Sequence, residues 1–437
     1  MAYKILSLDG GGSWAVIQAR VLQDIYGDIA GHQLLQKFDM VIANSGGSLV
    51  LACLCNNMLI SEIISVFEDE SKRKQVFSKL SFWEKFSLRN IASLTSVLGP
   101  KYSTARKMDG LRSVFNKYDT LIKSGKVAKS IVDTHLNELP QIIGKPGLQI
   151  IVVGFDYFKQ RATFFRSNIQ SRTDVFNNGK YYQVTLGHAI HSSSNAPVNY
   201  FDSPAEIDVE LLNGTDKRKA WYWDGAVSGF NNPVLGGVIE AITNNAGLNI
   251  PLSDYHILSL GTGTGGRAVI PDYQSSTDPR IASIYEKNKD NDLAVTSSRS
   301  SFLSDIQKMS TSILGDPPDS ATFIAYSILD PSLSNQACIV RINPCIKPEL
   351  DPATLKFTIP RAYAANAEDF FKLMDLDMDA VANNEVSLIT QLCSKFIVSS
   401  HPCVPNQFIR GDVNGAHLGY GTYREAKQKW LSVNAVQ

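Results

Sequence analysis

Three short stretches carry residue types that would together perform acyl transfer. Ala43-Asn44-Ser45-Gly46-Gly47 comes close to the G-x-S-x-G nucleophile elbow, departing from it at Ala43. A serine on a sharp strand-to-helix turn has strained backbone angles, which small neighbours permit. The helix that follows offers unpaired amides and a positive dipole end to a developing negative charge. Asp9-Gly10-Gly11-Gly12-Ser13 clusters backbone amides with no side chain in the way, a nest for a phosphate or a tetrahedral oxyanion. Trp221-Tyr222-Trp223-Asp224-Gly225-Ala226 sets one carboxylate behind an aromatic run, where partial desolvation makes a better base. Read alone, each has a plainer meaning: a glycine turn with a solvent serine, a dinucleotide loop, or an Asx turn closed by Gly225.

The glycine turn does meet the looser dinucleotide fingerprint through Gly10, Gly12 and Ala15. The second strand, however, ends in Ala43-Asn44-Ser45 and not in the acid that holds a ribose. No Gly-Lys-Ser/Thr follows, so it is not a P-loop either. With a serine elbow one unit later, the oxyanion reading is the better one.

The elements that must position these residues are legible in outline. Lys4 to Leu8 reads as a strand leading into the glycine turn, Ala15 to Ile29 as a helix, and Phe38 to Ile42 as a strand leading into the serine turn. Leu49 to Phe67 reads as one long buried helix. Further strands are expected at Leu148 to Phe155, Ala162 to Arg166, His256 to Leu260 and Ala337 to Ile342. Helices are expected over 283–330 and 364–399, with a surface loop from Pro271 to Pro279. Repeated strand–turn–helix units predict a three-layer α/β/α fold with a central, mostly parallel sheet. No repeat or clear linker divides the chain. The expected organisation is a catalytic domain over 1–397, with its motifs within 1–265 and a helical remainder over 266–397, followed by a tail over 398–437 that wraps loosely or packs on the same body.

Where the three motifs meet, the chain resembles the patatin-like phospholipase family. Phe164-Phe165-Arg166-Ser167, the segment Ala189 to Pro197 with Ser192-Ser193-Ser194, and Leu258-Ser259-Leu260-Gly261-Thr262-Gly263 also resemble the family's segments, in order, across roughly the first 265 residues. The resemblance implies a Ser45–Asp224 dyad: Ser45 attacks an ester carbonyl, Asp224 takes its proton and later activates water, and the amides of Gly10, Gly11 and Gly12 hold the oxyanion. Asp9, Ala43, Asn44, Gly46, Gly47, Gly225 and Ala226 complete the motifs. The implied substrate is a phospholipid or lysophospholipid at a membrane surface, cleaved without metal or organic cofactor. Trp14 and Ala15 stand where the family usually has a basic residue and glycine. Trp14 and Ala43 leave open a weakly catalytic lipid-binding protein, and a further alternative is a lipase effector switched on by a regulatory ligand or partner held by the C-terminal region.

Other chemistries were weighed on the residues. A Ser–His–Asp triad would use His256, which follows Asp224, or His188 and His191, which precede it. Gly261 to Gly266 reads as a strand-end turn more readily than as a nucleotide loop. The stretch from Glu70 to Lys107 holds nine Lys or Arg and two acids, with Phe77, Phe82, Trp83 and Phe86 interleaved, and would suit an anionic membrane surface.

Composition sets the outer limits. The 437 residues are 44% hydrophobic, enough for a large buried core. Lys plus Arg and Asp plus Glu are 42 each, which argues against a general nucleic-acid binder. Cys53, Cys55, Cys338, Cys345, Cys393 and Cys403 form no CxxC pair, which fits a reducing cytoplasm better than a zinc site or disulfide scaffold. The N-terminal apolar stretch is too short for a signal-peptide core, and no run reaches the roughly 18 apolar residues of a membrane span. The expected location is cytoplasmic, peripheral at membranes.

Overall fold

The computed structural model describes residues 2–85, 100–117, 125, 129–168, 182–198, 200–211, 217–245, 249–265, 276, 278–288, 317–318, 320–334, 338–351, 353–403 and 418–435. The chain opens with β1 (Tyr3–Leu8), a short 3-10 turn (Gly12–Ala15), α1 (Val16–Tyr26), α2 (Gly31–Leu35), β2 (Met40–Asn44) and α3 (Ser45–Cys55). Next come α4 (Ile60–Glu68), α5 (Glu70–Val76), α6 (Phe82–Lys85), α7 (Thr104–Lys117) and α8 (Leu139–Ile143). A β-rich stretch follows: β3 (Gln149–Asp156), β4 (Arg161–Arg166), β5 (Tyr182–Gln183), α9 (Leu186–Ser193), β6 (Ala205–Leu211) and β7 (Lys217–Asp224). The chain continues with α10 (Val234–Asn244), β8 (Tyr255–Leu260), β9 (Thr264–Gly265), α11 (Pro279–Asn288) and β10 (Cys338–Ile342). The last helices are α12 (Ala367–Asp375), α13 (Asn383–Ile397) and α14 (Tyr423–Ala435).

Nine of the described strands form the main sheet, in the order β10-β8-β1-β2-β3-β7-β6-β5 with β4 also paired to β3, while β9 pairs separately with Cys345–Ile346. β10, β8, β1, β2 and β3 run parallel, and β4, β6 and β7 are antiparallel to their neighbours. The parallel strands are apolar at nearly every position because helices cover both faces. Alternation divides their side chains. Leu6, Leu8, Val41, Ala43, Val152 and Leu260 join the core beneath α1, α3, α4 and α13, whereas Ile5, Ile42, Val153 and Ile257 meet α10 and residues 321–329. The result is the three-layer α/β/α architecture.

Several expectations change in detail. The helix anticipated over Leu49 to Phe67 is two helices, because Asn57 adopts a left-handed conformation (φ 56°) and its side chain accepts from the His32 amide at 3.0 Å. The second strand begins at Met40, not Phe38, and the first helix ends at Tyr26. β6 and β7 were not anticipated as strands; in β6 the exposed Glu206 and Asp208 alternate with buried Ile207 and Val209, β7 opens on three exposed cations, and Lys219 bridges Glu206 and Asp208 across the pair. The loop Pro271 to Pro279 and the helical expectation over 283–330 lie largely outside the described residues, with α11 and 320–329 helical. In the C-terminal stretch, α14 buries Trp430 against Phe38, the rings stacked at 6.1 Å, with its indole N–H donating to the Tyr26 hydroxyl at 2.8 Å.

The expected basic surface from Glu70 to Lys107 is smaller than the sequence suggests, although Lys74, Lys79 and Trp83 are exposed. Lys72, Arg73 and Lys107 are buried; Lys101 pairs with Asp377 and Asp379, and Arg106 with Glu84. These cations serve packing and internal pairing. Phe86 lies outside the described residues. No helix among the described residues is long and apolar enough to cross a membrane.

Candidate functional site

The site is built at one edge of β3. Val153 pairs with Asn44 of β2 on one side and with Phe164 of β4 on the other. The next residue, Gly154, pairs with Asp224 of β7 and with Thr163 of β4. β2 and β7 therefore share an edge of β3 and run toward each other, so their last residues meet end to end. That junction brings Ser45 and Asp224 together across a long sequence separation.

Ser45 is the first residue of α3, with φ 49°, a strained value for a residue with a side chain. The surroundings hold it there. Its amide donates to Ser193 Oγ at 2.9 Å, and Ser48 Oγ donates to its carbonyl at 2.6 Å. A Cβ on Gly46 would stand 2.6 Å from the Gly12 carbonyl oxygen, so glycine alone lets α3 approach the first turn. Ala43 costs the elbow nothing, because its methyl points into the apolar layer of the sheet.

Asp224 is buried and carries a hydrogen bond from the Ser45 side chain. Its Oδ1 accepts from Asn44 Nδ2 at 3.0 Å and from the Ala226 amide at 2.9 Å, and its own amide donates to the Asn195 carbonyl at 3.0 Å. Burial pushes its carboxyl above the ordinary range, opposed by these hydrogen bonds and by the charge of Lys107. Gly225 leaves room for Asn44: a Cβ there would sit 2.5 Å from Asn44 Oδ1.

The glycine turn packs beside Ser45. The Gly10 amide donates to the Asn231 carbonyl at 2.8 Å, so it is committed to the fold. Among the described residues no group accepts from the amides of Gly11 and Gly12. Gly12 has φ 56°, and a Cβ on it would meet the Met378 carbonyl oxygen at 2.4 Å. Asp9 points away from the dyad: Arg341 of β10 holds its carboxylate from both guanidinium ends at 2.9 and 2.6 Å. Trp14, which stands where the family usually has a basic residue, is buried and donates from Nε1 to the Asp377 carbonyl at 3.0 Å, while the Ser13 amide donates to the Met378 carbonyl at 3.1 Å. Residues 377–379 thus clamp the turn. They are held in turn by Lys101, Tyr102 and Tyr200 on the carboxylates of Asp377 and Asp379.

A model of the patatin-like phospholipase family matches residues 6–237, just over half of the chain, and those residues include every part of this site except the Arg341 and 377–379 supports. The chain belongs to the patatin-like phospholipase family. Membership makes it a lipid acyl hydrolase in general terms. No curated protein matches it. Among solved structures, VipD from Legionella pneumophila is 11% identical with a TM-score of 0.33, over 90% of this chain and 67% of that one. The type III effector protein ExoU is 12% identical with a TM-score of 0.23, over 100% of this chain and 76% of that one.

His256 lies too far from Ser45 to complete a Ser–His–Asp triad. His256 pairs in register with Lys4, whereas Leu260 pairs with Leu8 beside the glycine turn. At about 3.3 Å per residue, His256 lies about 13 Å down the strand, toward the opposite end of the sheet. Burial pulls the imidazoles of His188 and His191 below their ordinary range. Sequence reasoning overlooked Arg341, Asn231 and Lys107, and did not assign Ser193 its contact. A lone arginine in the apolar run Cys338–Ile342 was a usable signal; nothing in the sequence distinguished Lys107 from its basic neighbours.

Proposed function

We propose that the protein hydrolyses carboxylic esters of phospholipids or lysophospholipids through an acyl-Ser45 intermediate, with Asp224 as its base. The observation that carries this reading is the meeting of Ser45 and Asp224 at the β2–β7 junction. Ser45 Oγ attacks the ester carbonyl carbon as its proton passes to Asp224. The tetrahedral oxyanion accepts from the amides of Gly11 and Gly12. Collapse breaks the ester C–O bond, and Asp224 returns the proton to the leaving alcohol. Asp224 then removes a proton from water, which attacks the acyl-enzyme carbonyl carbon; as the acyl C–Oγ bond breaks, Asp224 returns that proton to Ser45 Oγ, releasing the fatty acid and regenerating the dyad.

Beside the glycine turn lies a small, mainly apolar pocket lined by Gly12, Ser13, Leu49, Cys53, Leu111 and Phe115, with Lys72 and Arg73 also on its wall.

The test is acyl release from a phospholipid panel by wild type, Ser45→Ala and Asp224→Asn, alongside fluorophosphonate labelling. Wild type is expected to turn over and to label, and both variants to fail. Equal behaviour of wild type and Ser45→Ala would sink the proposal.

The second reading, a ligand- or partner-activated lipase effector, is favoured by the clamp of 377–379 on the glycine turn. Whatever moves that segment moves the Gly11–Gly12 amides. Activity that appears only when cell extract is added would support this reading.

A further inference from the structure

Lys107 is fully buried, in the first half of α7. An ammonium costs several kcal/mol to desolvate unless it is well paired. The pairing here is sparse for a group with three donors. Nζ donates to the His191 carbonyl at 3.2 Å and lies 4.3 Å from the centroid of the Phe201 ring. A methionine of similar length would fill the space without that cost, so packing alone does not account for a lysine.

The placement of the ammonium does. The His191 carbonyl belongs to the last turn of α9, where a cation is favoured by the helix dipole. The same turn and the residues after it hold the dyad: Ser193 Oγ accepts from the Ser45 amide, and the Asn195 carbonyl accepts from the Asp224 amide. Asp224 is also the carboxylate whose charge acts on Lys107. The other charged and titratable groups around α7 are engaged elsewhere. Arg73 of α5 donates to the carbonyls of Phe67 and Val381 and to Asn383, and Lys72 pairs with Asp69. Asp133 lies 3.7 Å from Arg112, and Asp202 accepts from the Thr104 amide. Burial pulls His188 and His191 of α9 below their ordinary range, and the charge of Lys107 adds to that pull on His191.

We propose that Lys107 is a positioning residue of the Ser45–Asp224 pair, a buried cation that fixes the end of α9 and lends its positive field to the Asp224 carboxylate. Asp224 is thereby kept as a proton acceptor in a site dry enough to favour its neutral form. The inference rests on the dyad reading above. Burial also pulls the lysine well below its ordinary range, and the Asp224 carboxylate opposes that pull, so each group supports the charge of the other.

The experiment uses full-length wild type, Lys107→Met, Asp224→Asn and the double variant. Two measurements are made: fluorophosphonate labelling of Ser45 against pH, and unfolding in denaturant. Lys107→Met is expected to fold with wild-type or higher stability. It should label at least tenfold more slowly at neutral pH, with the acid limb of the labelling profile moved upward by about one pH unit. Unfolding should show Lys107→Met and Asp224→Asn to be non-additive, since each leaves the other group without its charge partner.

Wild-type labelling and an unmoved acid limb in Lys107→Met would overturn the inference. So would a loss of stability that is additive with Asp224→Asn, which is the mark of a packing role. If wild type itself fails to label, the dyad reading falls. The unfolding cycle then decides separately whether Lys107 and Asp224 are coupled: additivity rejects the pairing, and non-additivity keeps it.

Discussion

Asn44 and Asp224 occupy neighbouring positions on one edge of β3, opposite Val153 and Gly154, and are joined by a 3.0 Å hydrogen bond from Asn44 Nδ2 to Asp224 Oδ1. This bond ties the residue before the nucleophile to the base. Ser193 adds a second link, since its hydroxyl contacts both Asn44 Oδ1 and the Ser45 amide.

Asn44→Ala is therefore expected to impair catalysis more than folding. The lost bond ends on a carboxylate, where such bonds contribute about 1.5–3 kcal/mol. A drop in kcat of about ten- to a hundredfold with little change in KM is expected from steady-state kinetics on a soluble ester. Asn44→Asp should do more harm, because a second buried carboxylate disfavours ionisation of Asp224.

The pH profile follows from the burial of Asp224, which raises its carboxyl above the ordinary value. A base must be ionised, so kcat/KM should fall as pH drops through that raised value, at a pH where an exposed aspartate is still charged. Stability runs the other way. A carboxyl whose folded pKa is raised contributes stability that is fully present below its unfolded pKa and is lost as pH rises through the folded pKa. Asp224→Asn removes that loss. It should abolish activity at neutral pH, and in a Lys107→Met background, where no buried cation is left unpaired, it should leave Tm equal to or above that of Lys107→Met, as read by calorimetry.

The Asp9–Arg341 pair makes a contrasting prediction. Both side chains are buried and joined by two hydrogen bonds, with Ser259 Oγ accepting a third contact from the same guanidinium at 3.0 Å. Arg341→Met or Asp9→Leu alone strands a charge and should cost about 3–5 kcal/mol in denaturant unfolding. The two together should recover much of that loss. If the single variants were as stable as the double, the pair would not be holding β10 to the glycine turn.

Gly12→Ala tests the oxyanion turn. Its left-handed φ and the nearby Met378 carbonyl leave no room for a methyl. Moving the turn displaces the amides of Gly11 and Gly12 from Ser45. Turnover should fall by about a hundredfold or more, while Ser45 remains intact. Labelling by a fluorophosphonate, whose oxygen needs the same amides, should slow in parallel.

Much of this was present in the chain as local pattern. Strand–turn–helix periodicity over Lys4 to Cys55, small residues around Ser45 and three successive glycines are short-range features, and short-range features are what backbone sterics and helix dipoles act on. They determined the fold class and marked the glycine turn, the candidate nucleophile and the candidate base. Local pattern also misled. Leu49 to Phe67 is apolar enough to read as one helix, but the turn at Asn57 depends on a partner, His32, from another helix. The cations between Glu70 and Lys107 read as surface because charge is usually solvated. The structure instead buries Lys72, Arg73 and Lys107, whose partners come largely from distant segments.

Only the tertiary structure decided which groups meet. β7 had to pair antiparallel with β3 beyond the end of β2 before Asp224 could reach Ser45. Arg341 had to arrive on β10 before Asp9 had a counter-charge, and 377–379 had to fold back before the turn beside Trp14 was held. These contacts join residues far apart in the sequence. Strand register and the low polarity of a shared interior select them, and neither is written in any one segment of the chain.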